Sequence, residues 1–482
     1  MSSLPIDNFS EYEKVSLDET YTAELPQPVT ISNIPPKNVS AGPSQITQAK
    51  ANMAKYYLER EFKNFFSRDK QIRQRTQRIR SLSSCQLAEY KLREQQNTVK
   101  RLTRRTFKVD QFEKIQIIGR GAFGEVWLVR DKVDQHIYAM KVLKKKELIQ
   151  KNQILNTIVE KDFLVQNDNP WSVQLYFSFQ DPKNLYLVME FLPGGDLMNL
   201  LVRRSVLTET ETRFLIAEAV LAIHCVHMQG FIHRDIKPDN LLLTKEGHVR
   251  LTDFGLSTKI NRYSDPIVSL IDKITDAFSD FSGNTVDMPY HQKYNRLVCS
   301  AVGTTDYIAP EVLMKKSYGP SVDYWSVGAI MFEMLFGYVP FLSQNHQLTA
   351  SKIIHFEQSL IFPPTPYVST EAISLMRGLL TDADHRLTFE EIKQHPFFSG
   401  LDWDNLNKSE SPCIPEISGD LDTSHFDNFD PIPEDQDSNT SSESEKEYED
   451  LANIAFMGFQ YNKKANDLLK PNLNIHEDNI VE

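Results

Sequence analysis

The chain has 482 residues, of which 40% are apolar and 24% charged, and its 65 acidic and 53 basic side chains give a formal net charge of −12. This length allows two or three domains, and the composition excludes a fibrous or wholly disordered chain. The four cysteines are scattered without a Cys-x-x-Cys pair, so they predict neither a disulfide framework nor a zinc site.

The sequence shows no sign of a leader or a membrane anchor. Its first residues lack a basic segment followed by an apolar one, and Ser2 stands where N-myristoylation requires glycine. No apolar run approaches the ~20 residues that span a bilayer. We therefore predict a cytoplasmic protein in a reducing compartment, with no membrane insertion.

The net charge hides two opposed segments. The basic arm, residues 68–108, has thirteen Lys and Arg against three acids, and the acidic linker, residues 401–450, has sixteen acids against two Lys. Between them the charge is mixed and the apolar residues follow strand and helix patterns. This distribution predicts a folded centre with a basic arm and an acidic tail.

A long amphipathic helix is predicted from about residue 48, after a segment rich in Ser, Pro and Thr, 1–47, that we expect to be disordered. Apolar residues recur at helical spacing at Ala51, Ala54, Leu58, Phe62, Phe65, Ile72 and Ile79. The basic face of this helix could bind nucleic acid or a protein. Its aromatic residues precede the arginines instead of alternating with them, which favours a protein partner with an apolar groove and an acidic rim over nucleic acid.

A glycine-rich loop contains Gly119, Gly121 and Gly124 between two apolar runs. The G-x-G-x-x-G pattern alone is weak evidence, because dinucleotide-binding folds also use it. Those folds begin a helix at the third glycine, whereas here the residues from Val126 onward continue as a strand. A strand-loop-strand flap lets glycine backbone lie over phosphate groups.

A lysine in the next strand and a glutamate in the following helix predict a second phosphate-handling feature. Lys141 lies in the strand 137–143, and Glu160 follows nineteen residues later beside an apolar helix stripe. A lone lysine in a strand is most often a solvated side chain. A lysine held by a glutamate, however, can bind the α- and β-phosphates of ATP in a fixed position.

Three further motifs follow in order, at residues 233–240 (His-Arg-Asp-Ile-Lys-Pro-Asp-Asn), 253–255 (Asp-Phe-Gly) and 309–311 (Ala-Pro-Glu). With the glycine-rich loop and Lys141 they resemble the eukaryotic protein kinases over residues 112–398. The resemblance implies an α+β, two-lobed fold with a β-rich N-terminal lobe and a helical C-terminal lobe. It also implies ATP and Mg²⁺ as cofactors.

By this resemblance Asp235 orients the substrate hydroxyl and accepts its proton, Lys237 steadies the γ-phosphate, and Asn240 and Asp253 bind Mg²⁺. Lys237 after the catalytic aspartate is typical of serine/threonine kinases. The ATP site implied by the resemblance comprises Ile118, Gly119, Gly121, Gly124, Val126, Ala139, Lys141, Glu160, Met189, Glu190, Leu192, Asp196 and Leu242.

Two residues of the kinase motifs are predicted to be structural. We expect Glu311 to form a buried ion pair with Arg386, and His233 to pack and form hydrogen bonds in the core. Neither is expected to contact substrate.

Within the kinases the sequence resembles the AGC group and its NDR/LATS family. The sequences of residues 189–196 and 302–311 are similar to those of AGC kinases. The long activation segment and the basic helix are typical of the NDR/LATS family. Residues 48–111 would then bind a Mob-family coactivator. Details of residues 54–58 and 322–326 lean towards the fungal septation and mitotic-exit kinases, with a polarised-growth kinase as the alternative. Such kinases also suggest the spindle pole, the division site or the nucleus as locations.

The activation segment contains an insert, residues 259–299, that includes a predicted short amphipathic helix with nearly balanced charge. We expect this helix to restrain the resting kinase by apolar packing. Ser300 stands at the position of the family's activation-loop phosphoacceptor. Its phosphorylation by an upstream activating kinase would pair with Arg234 and order the loop.

The resemblance also implies how substrates are selected and how the tail, residues 399–482, acts. Acidic side chains at Asp196, Asp239 and Glu333 would recognise protein substrates with arginine upstream of the target Ser or Thr. A hydrophobic motif, residues 456–461, would dock through Phe456, Phe459 and Tyr461. At Gln460 the family normally has a phosphorylated Ser or Thr, so we expect activation without tail phosphorylation.

Two other functions remain open from the sequence. The first is a catalytically weak kinase-fold scaffold, against which the complete set of catalytic residues argues. The second is a nucleic-acid binder acting through the basic arm. Salt-sensitive binding to nucleic acid would favour the second, and salt-sensitive binding to an acidic Mob protein would favour the kinase.

Overall fold

The computed structural model describes residues 45–80, 93–94, 97–99, 101–102, 107–259, 305–429 and 443–468. The expected disorder before residue 45, the insert beyond residue 259 and Ser300 lie outside these residues. Among the helices described, none combines the length and apolarity needed to cross a membrane.

The smaller lobe is built on an antiparallel sheet of six strands in the order β1-β2-β3-β5-β4-β10. The strands are β1 (Phe112–Gly121), β2 (Gly124–Asp131), β3 (Ile137–Lys144), β4 (Leu175–Gln180), β5 (Asn184–Glu190) and β10 (Tyr461–Asn462). Helices α2 (Lys145–Gln150) and α3 (Ile154–Gln166) follow β3 in the chain. Successive residues of β5 are buried, so both of its faces are covered. This explains why β5 is a nearly continuous run of apolar residues.

The larger lobe is mainly helical. Its helices are α4 (Leu197–Arg204), α5 (Glu209–Met228), α6 (Pro310–Leu313), α7 (Val322–Phe336), α8 (His346–Ile354), α9 (Phe356–Ser359), α10 (Thr370–Leu379) and α11 (Phe389–Gln394). Short hairpins are formed by β6 (Phe231–Ile232) with β9 (Thr258–Lys259), and by β7 (Leu241–Leu243) with β8 (Val249–Leu251). Helix α5 begins with a capping box between Thr208 and Glu211, which satisfies its first amide groups. The predicted two-lobed α+β fold is confirmed.

The predicted ion pair of the larger lobe is present. The guanidinium of Arg386 donates to both carboxylate oxygens of Glu311, at 2.7 and 3.1 Å. It also donates to the carbonyls of Ser321 and Thr381 and lies over the ring of Trp325. Both charged side chains are almost fully buried. The pair therefore joins α6, α7 and the segment before α11.

The long helix near the N-terminus, α1 (Gln45–Arg80), packs on the smaller lobe through a face that the sequence did not single out. Met53 is buried, and Arg60 donates to Asp162 of α3 at 3.1 and 3.2 Å. In the apolar stripe that predicted the helix, Leu58 and Phe62 are more than half exposed, Ala51 is also exposed, and Ala54 is partly buried. Helix α1 therefore has one face on the kinase lobe and a second, apolar face towards solvent.

The tail returns to the smaller lobe. Helix α12 (Glu443–Ala455) leads into the hydrophobic motif, β10 pairs with β4, and α13 (Lys463–Asp467) follows. The pairing aligns Tyr461 with Ser178, so the tail completes the edge of the sheet.

Candidate active site

Lys141 lies between two carboxylates that come from separate parts of the chain. Its Nζ is 2.8 Å from Glu160 Oε1 of α3 and 3.0 Å from Asp253 Oδ1. The side chain of Glu160 is 5% exposed, whereas that of Asp253 is 46% exposed and faces the cleft. Strand β3 and helix α3 thus hold a lysine at the cleft, as the spacing predicted.

Electrostatic interactions favour the charged forms of Lys141 and Asp253. Burial alone would lower the pKa of Lys141, but Asp253 and Glu160 together raise it above its ordinary value. Lys141 in turn lowers the pKa of Asp253 to about 2, against the effect of burial. At neutral pH the site therefore presents an ammonium and an accessible carboxylate side by side.

A second cluster lies in the loop between β6 and β7. Lys237 Nζ is 3.1 Å from Asp235 Oδ2, and Asn240 Nδ2 donates to the carbonyl and to Oδ2 of Asp235. Arg234 has a positive φ of 68°, an uncommon conformation for a residue other than glycine. The buried carboxylate of Asp323 holds this loop by accepting the amides of His233 and Arg234.

The Asp253-Phe254-Gly255 segment is fixed by its phenylalanine. The ring of Phe254 is fully buried and stacks on Phe163 of α3, with centroids 4.1 Å apart. His233 is fully buried beside it and its Nε2 lies 3.1 Å from the carbonyl of Thr252, in agreement with its predicted structural role. Asp253 itself adopts the left-handed conformation with φ 57°, which turns its carboxylate towards Lys141.

The glycine-rich loop is the hairpin between β1 and β2. Gly124 pairs with Leu143 of β3, and a Cβ atom there would lie 1.7 Å from the carbonyl oxygen of Val142. Only glycine therefore fits this position. Gly119 and Gly121 are less crowded, because a Cβ atom would lie 3.5 Å from the Val126 side chain at Gly119 and 4.0 Å from the carbonyl oxygen of Gly124 at Gly121.

The predicted adenine-site residues belong to apolar clusters of both lobes. On the small-lobe side Ile118, Leu128 and Ala139 form a buried cluster with Val126 at its edge. Across the cleft, Leu242 of β7 packs partly buried against the main core, which also contains Met189 and Leu192. Glu190 ends β5 and begins the connection between the lobes.

Two aromatic residues of this cluster were missed from the sequence. Phe191 and Phe426 of the tail both pack against the Ile118 cluster, with their ring centroids 5.8 Å apart. The tail can approach because Gly195 has a φ of 70°, and a Cβ there would lie 2.3 Å from the carbonyl oxygen of His425. No pattern in the sequence predicts that Phe426 packs against this cluster.

The three predicted arginine-recognition acids are neighbours. Burial raises the pKa of both Asp196 and Glu333, and the negative charge of the exposed Asp239 adds to the increase in each, together with Asp306 in the case of Glu333. Asp196 caps α4 by accepting the amide of Asn199, and Glu333 accepts the hydroxyl of Tyr307 at 2.5 Å. These three acids, which we call the acidic patch, come from the start of α4, the loop between β6 and β7, and α7.

The hydrophobic motif is docked against α3 and β4. Phe456 and Phe459 are 1% and 2% exposed, while Gln460 is exposed. Their backbone is held by side chains: Gln180 donates to the carbonyl of Phe456 at 2.9 Å, and the hydroxyl of Ser178 donates to that of Phe459.

This fold and these clusters define a protein kinase. A protein kinase domain family model matches residues 112–398, and the chain belongs to that family. Protein kinases in general use ATP and Mg²⁺.

Comparison with known proteins narrows the class. Over 409 residues the chain is 42% identical to the serine/threonine-protein kinase tricornered of Drosophila melanogaster, covering 80% of this chain and 88% of that protein. It is 42% identical to CBK1 of Candida albicans, covering 80% of this chain and 57% of that protein. It is 43% identical to CBK1 of Pneumocystis carinii, covering 75% and 76%. The chain is a serine/threonine protein kinase of the NDR family.

Proposed function

We propose that this kinase phosphorylates Ser or Thr downstream of arginine, under control of a Mob coactivator and of phosphorylation at Ser300. The contact of Lys141 with both Glu160 and Asp253 carries the proposal of an active enzyme. This contact joins the β3 lysine to α3 and to the Asp-Phe-Gly segment, and protein kinases need both partners in place for transfer. The scaffold alternative would not require such a completed cluster.

The residues present fit ATP and Mg²⁺. Asp253 and Asn240 offer a carboxylate and an amide oxygen, the hard ligands that Mg²⁺ accepts when phosphates supply the others. When bound, the Mg²⁺–ATP complex supplies the phosphoryl group and neutralises charge on it.

The chain's own residues position the two substrates and stabilise the transition state. Lys141 binds phosphate oxygens, the glycine-rich hairpin covers them, and Ile118, Ala139 and Leu242 enclose the base. Asp235 orients the incoming hydroxyl and accepts its proton. Lys237, 3.1 Å from Asp235, contributes positive charge where negative charge accumulates in the transition state.

The acidic patch of Asp196, Asp239 and Glu333 supports the choice of substrates. Three neighbouring carboxylates attract a guanidinium, which can bind carboxylates in a bidentate manner. Asp239 belongs to the catalytic loop, so an arginine on this patch would lie a few residues from the phosphorylated hydroxyl.

The outward face of α1 supports a Mob coactivator as partner. Leu58, Phe62 and Phe66 recur every four residues and are 55%, 59% and 64% exposed. Basic residues, including the exposed Lys70 and Arg73, follow in the same helix. An acidic protein with an apolar groove complements such a face.

Co-purification with each Mob protein of the host, followed by a kinase assay, tests this partner. We expect salt-sensitive binding that is lost in the Leu58→Glu, Phe62→Glu variant and retained in Glu59→Gln, which changes an exposed side chain of the same helix without adding negative charge. Binding to none of the Mob proteins, or equal binding by both variants, would contradict the proposal. Asp235→Ala provides the inactive blank in the assay.

Ser300→Ala is expected to lower kcat by about tenfold or more, because the loop would lose a phosphate that pairs with cations. Arg234, the predicted partner, already donates through Nε to the carbonyl of Leu256 and through Nη1 to Tyr318. The measurement is peptide phosphorylation by protein treated with the upstream kinase. Full activity of the Ser300→Ala protein would refute the regulation.

Gln460→Ala is expected to leave activity within about twofold, because the rings of Phe456 and Phe459 stay buried and their carbonyls keep the contacts with Gln180 and Ser178. By contrast, Phe459→Ala should undock the motif and lower activity. A large rise in activity when Gln460→Thr is treated with an upstream kinase would show that tail control is dormant and has not been replaced.

For the biological role we favour a polarised-growth kinase over a septation kinase. The relatives reported above are tricornered and CBK1 kinases, which support this choice and not the resemblance of residues 54–58 and 322–326 to the septation and mitotic-exit kinases.

A further inference from the structure

The tail continues past the hydrophobic motif and reaches the back of the connection between the two lobes. Strand β10 runs antiparallel to β4, with Tyr461 opposite Ser178 and Asn462 opposite Phe177. The chain therefore advances towards the start of β4, where Gln174 lies. Asn462 caps α13 by accepting the amide of Ala465, so the helix begins beside that point.

Lys463, the first residue of α13, contacts Gln174. Its Nζ donates to Gln174 Oε1 at 3.1 Å, and the lysine side chain is only 21% exposed. The amide nitrogen of the Gln174 side chain donates in turn to the carbonyl of Asn169 at 3.3 Å. The Gln174 side chain is thus held at both ends, by the tail and by the loop that precedes β4.

Gln174 and Glu190 form two hydrogen bonds, and the backbone amide of each residue donates one of them. The amide of Gln174 donates to Glu190 Oε1 at 2.8 Å, and the amide of Glu190 donates to the carbonyl of Gln174 at 3.0 Å. Arg250 Nε lies 4.0 Å from the same carboxylate oxygen. Burial raises the pKa of Glu190, and the charges of Arg250 and Lys463 act in the opposite direction. Glu190 is therefore fixed in backbone and side chain by groups on its rear side.

We infer that Lys463 is a positioning residue for nucleotide binding: through Gln174 it fixes the backbone of Glu190, which meets the adenine edge. The inference rests on the proposed role of Glu190 at the adenine. The lysine touches neither nucleotide nor substrate, and its effect is confined to the base. Because a hydrogen bond to a charged group restricts Gln174 more than water would, its loss loosens the adenine contact and leaves the phosphate-binding residues in place.

Lys463→Met keeps the aliphatic stem and removes the donor. We expect the KM for ATP and the Kd for ADP, measured by calorimetry, to rise by about three- to tenfold while kcat stays within about twofold. Inhibition by inorganic tripolyphosphate, which lacks a base, should be unchanged. Lys463→Arg, which retains a donor, should recover most of the affinity. The matched control is Lys464→Met, because the neighbouring lysine is 63% exposed and pairs with Asp134 at the surface.

A double-mutant cycle separates the positioning role from general loss of packing. Gln174→Met should weaken ADP binding to a similar degree, and the combined Lys463→Met, Gln174→Met protein should be no weaker than either single variant. Additive effects, an unchanged KM for ATP in Lys463→Met, a fall of kcat alone, or an equal effect of Lys464→Met would each overturn the inference. Such results would leave the kinase assignment untouched, since that depends on Lys141 and Asp235, whose variants are assayed separately.

Discussion

Lys141→Met is expected to lower kcat by about a hundred- to a thousandfold while the protein remains folded. The ammonium is 2.8 Å from Glu160 and 3.0 Å from Asp253, so its loss removes both a phosphate ligand and the link between α3 and the Asp-Phe-Gly segment. Burial raises the pKa of Glu160, so this carboxyl can take up a proton once its partner is gone. The variant therefore has no unpaired buried charge and stays folded. The change lowers the rate of phosphoryl transfer instead.

Lys144→Met is the matched control for this change. Lys144 ends the same strand, its side chain is 61% exposed, and its ion pair with Glu147 is on the surface. We expect peptide phosphorylation by this variant to equal that of the unchanged protein. If Lys141→Met retained more than about a tenth of the activity, the proposed phosphate-binding role would be wrong.

The second large effect is on stability. Arg386→Met leaves the carboxylate of Glu311 buried without its partner and removes two hydrogen bonds to backbone carbonyls. Breaking a buried pair by removing one member typically costs about 3–5 kcal/mol of unfolding free energy. For a domain of this size Tm should fall by roughly 10 °C. Calorimetry and urea denaturation measure the change.

Two variants separate the ion pair from the loss of an arginine in general. Arg377→Met, on the exposed side of α10, should leave Tm within about 2 °C of the unchanged protein. Adding Glu311→Leu to Arg386→Met should restore part of the loss, because the unpaired charge is removed. A Tm unaffected by Arg386→Met would contradict the account of this pair.

Local patterns in the sequence predicted only part of the catalytic clusters. The alternating strand of Lys141 and the helix stripe beside Glu160 allowed a pair between them, and the resemblance to kinases supplied the roles of Asp235, Asn240 and Asp253. The pairing of Glu311 with Arg386, although 75 residues apart, followed from the resemblance to kinases. Both kinds of inference depend on a strong motif or a strong period.

The contacts of the tail could not be predicted from the sequence, because they involve neither a strong motif nor a strong period. Phe426 reaches the Ile118 cluster more than 300 residues away, and Lys463 reaches Gln174 across 289 residues. A two-residue strand such as β10 has too few residues to show alternation, and a single lysine has no period. On α1 the apolar stripe predicted the helix correctly but not the face that packs on the lobe, because that face uses mixed residues such as Met53 and Arg60.

The most direct test is transfer of radiolabelled γ-phosphate from ATP to a serine peptide with arginine upstream, by the full chain and by Asp235→Asn, with Mob and Mg²⁺ present. We expect labelled phosphoserine with the unchanged chain, a loss of about a hundredfold or more with Asp235→Asn, and weaker labelling when alanine replaces the peptide's arginine. The absence of transfer by the unchanged chain, or undiminished transfer by Asp235→Asn, would contradict the proposal that this chain is an active kinase with Asp235 at its catalytic centre.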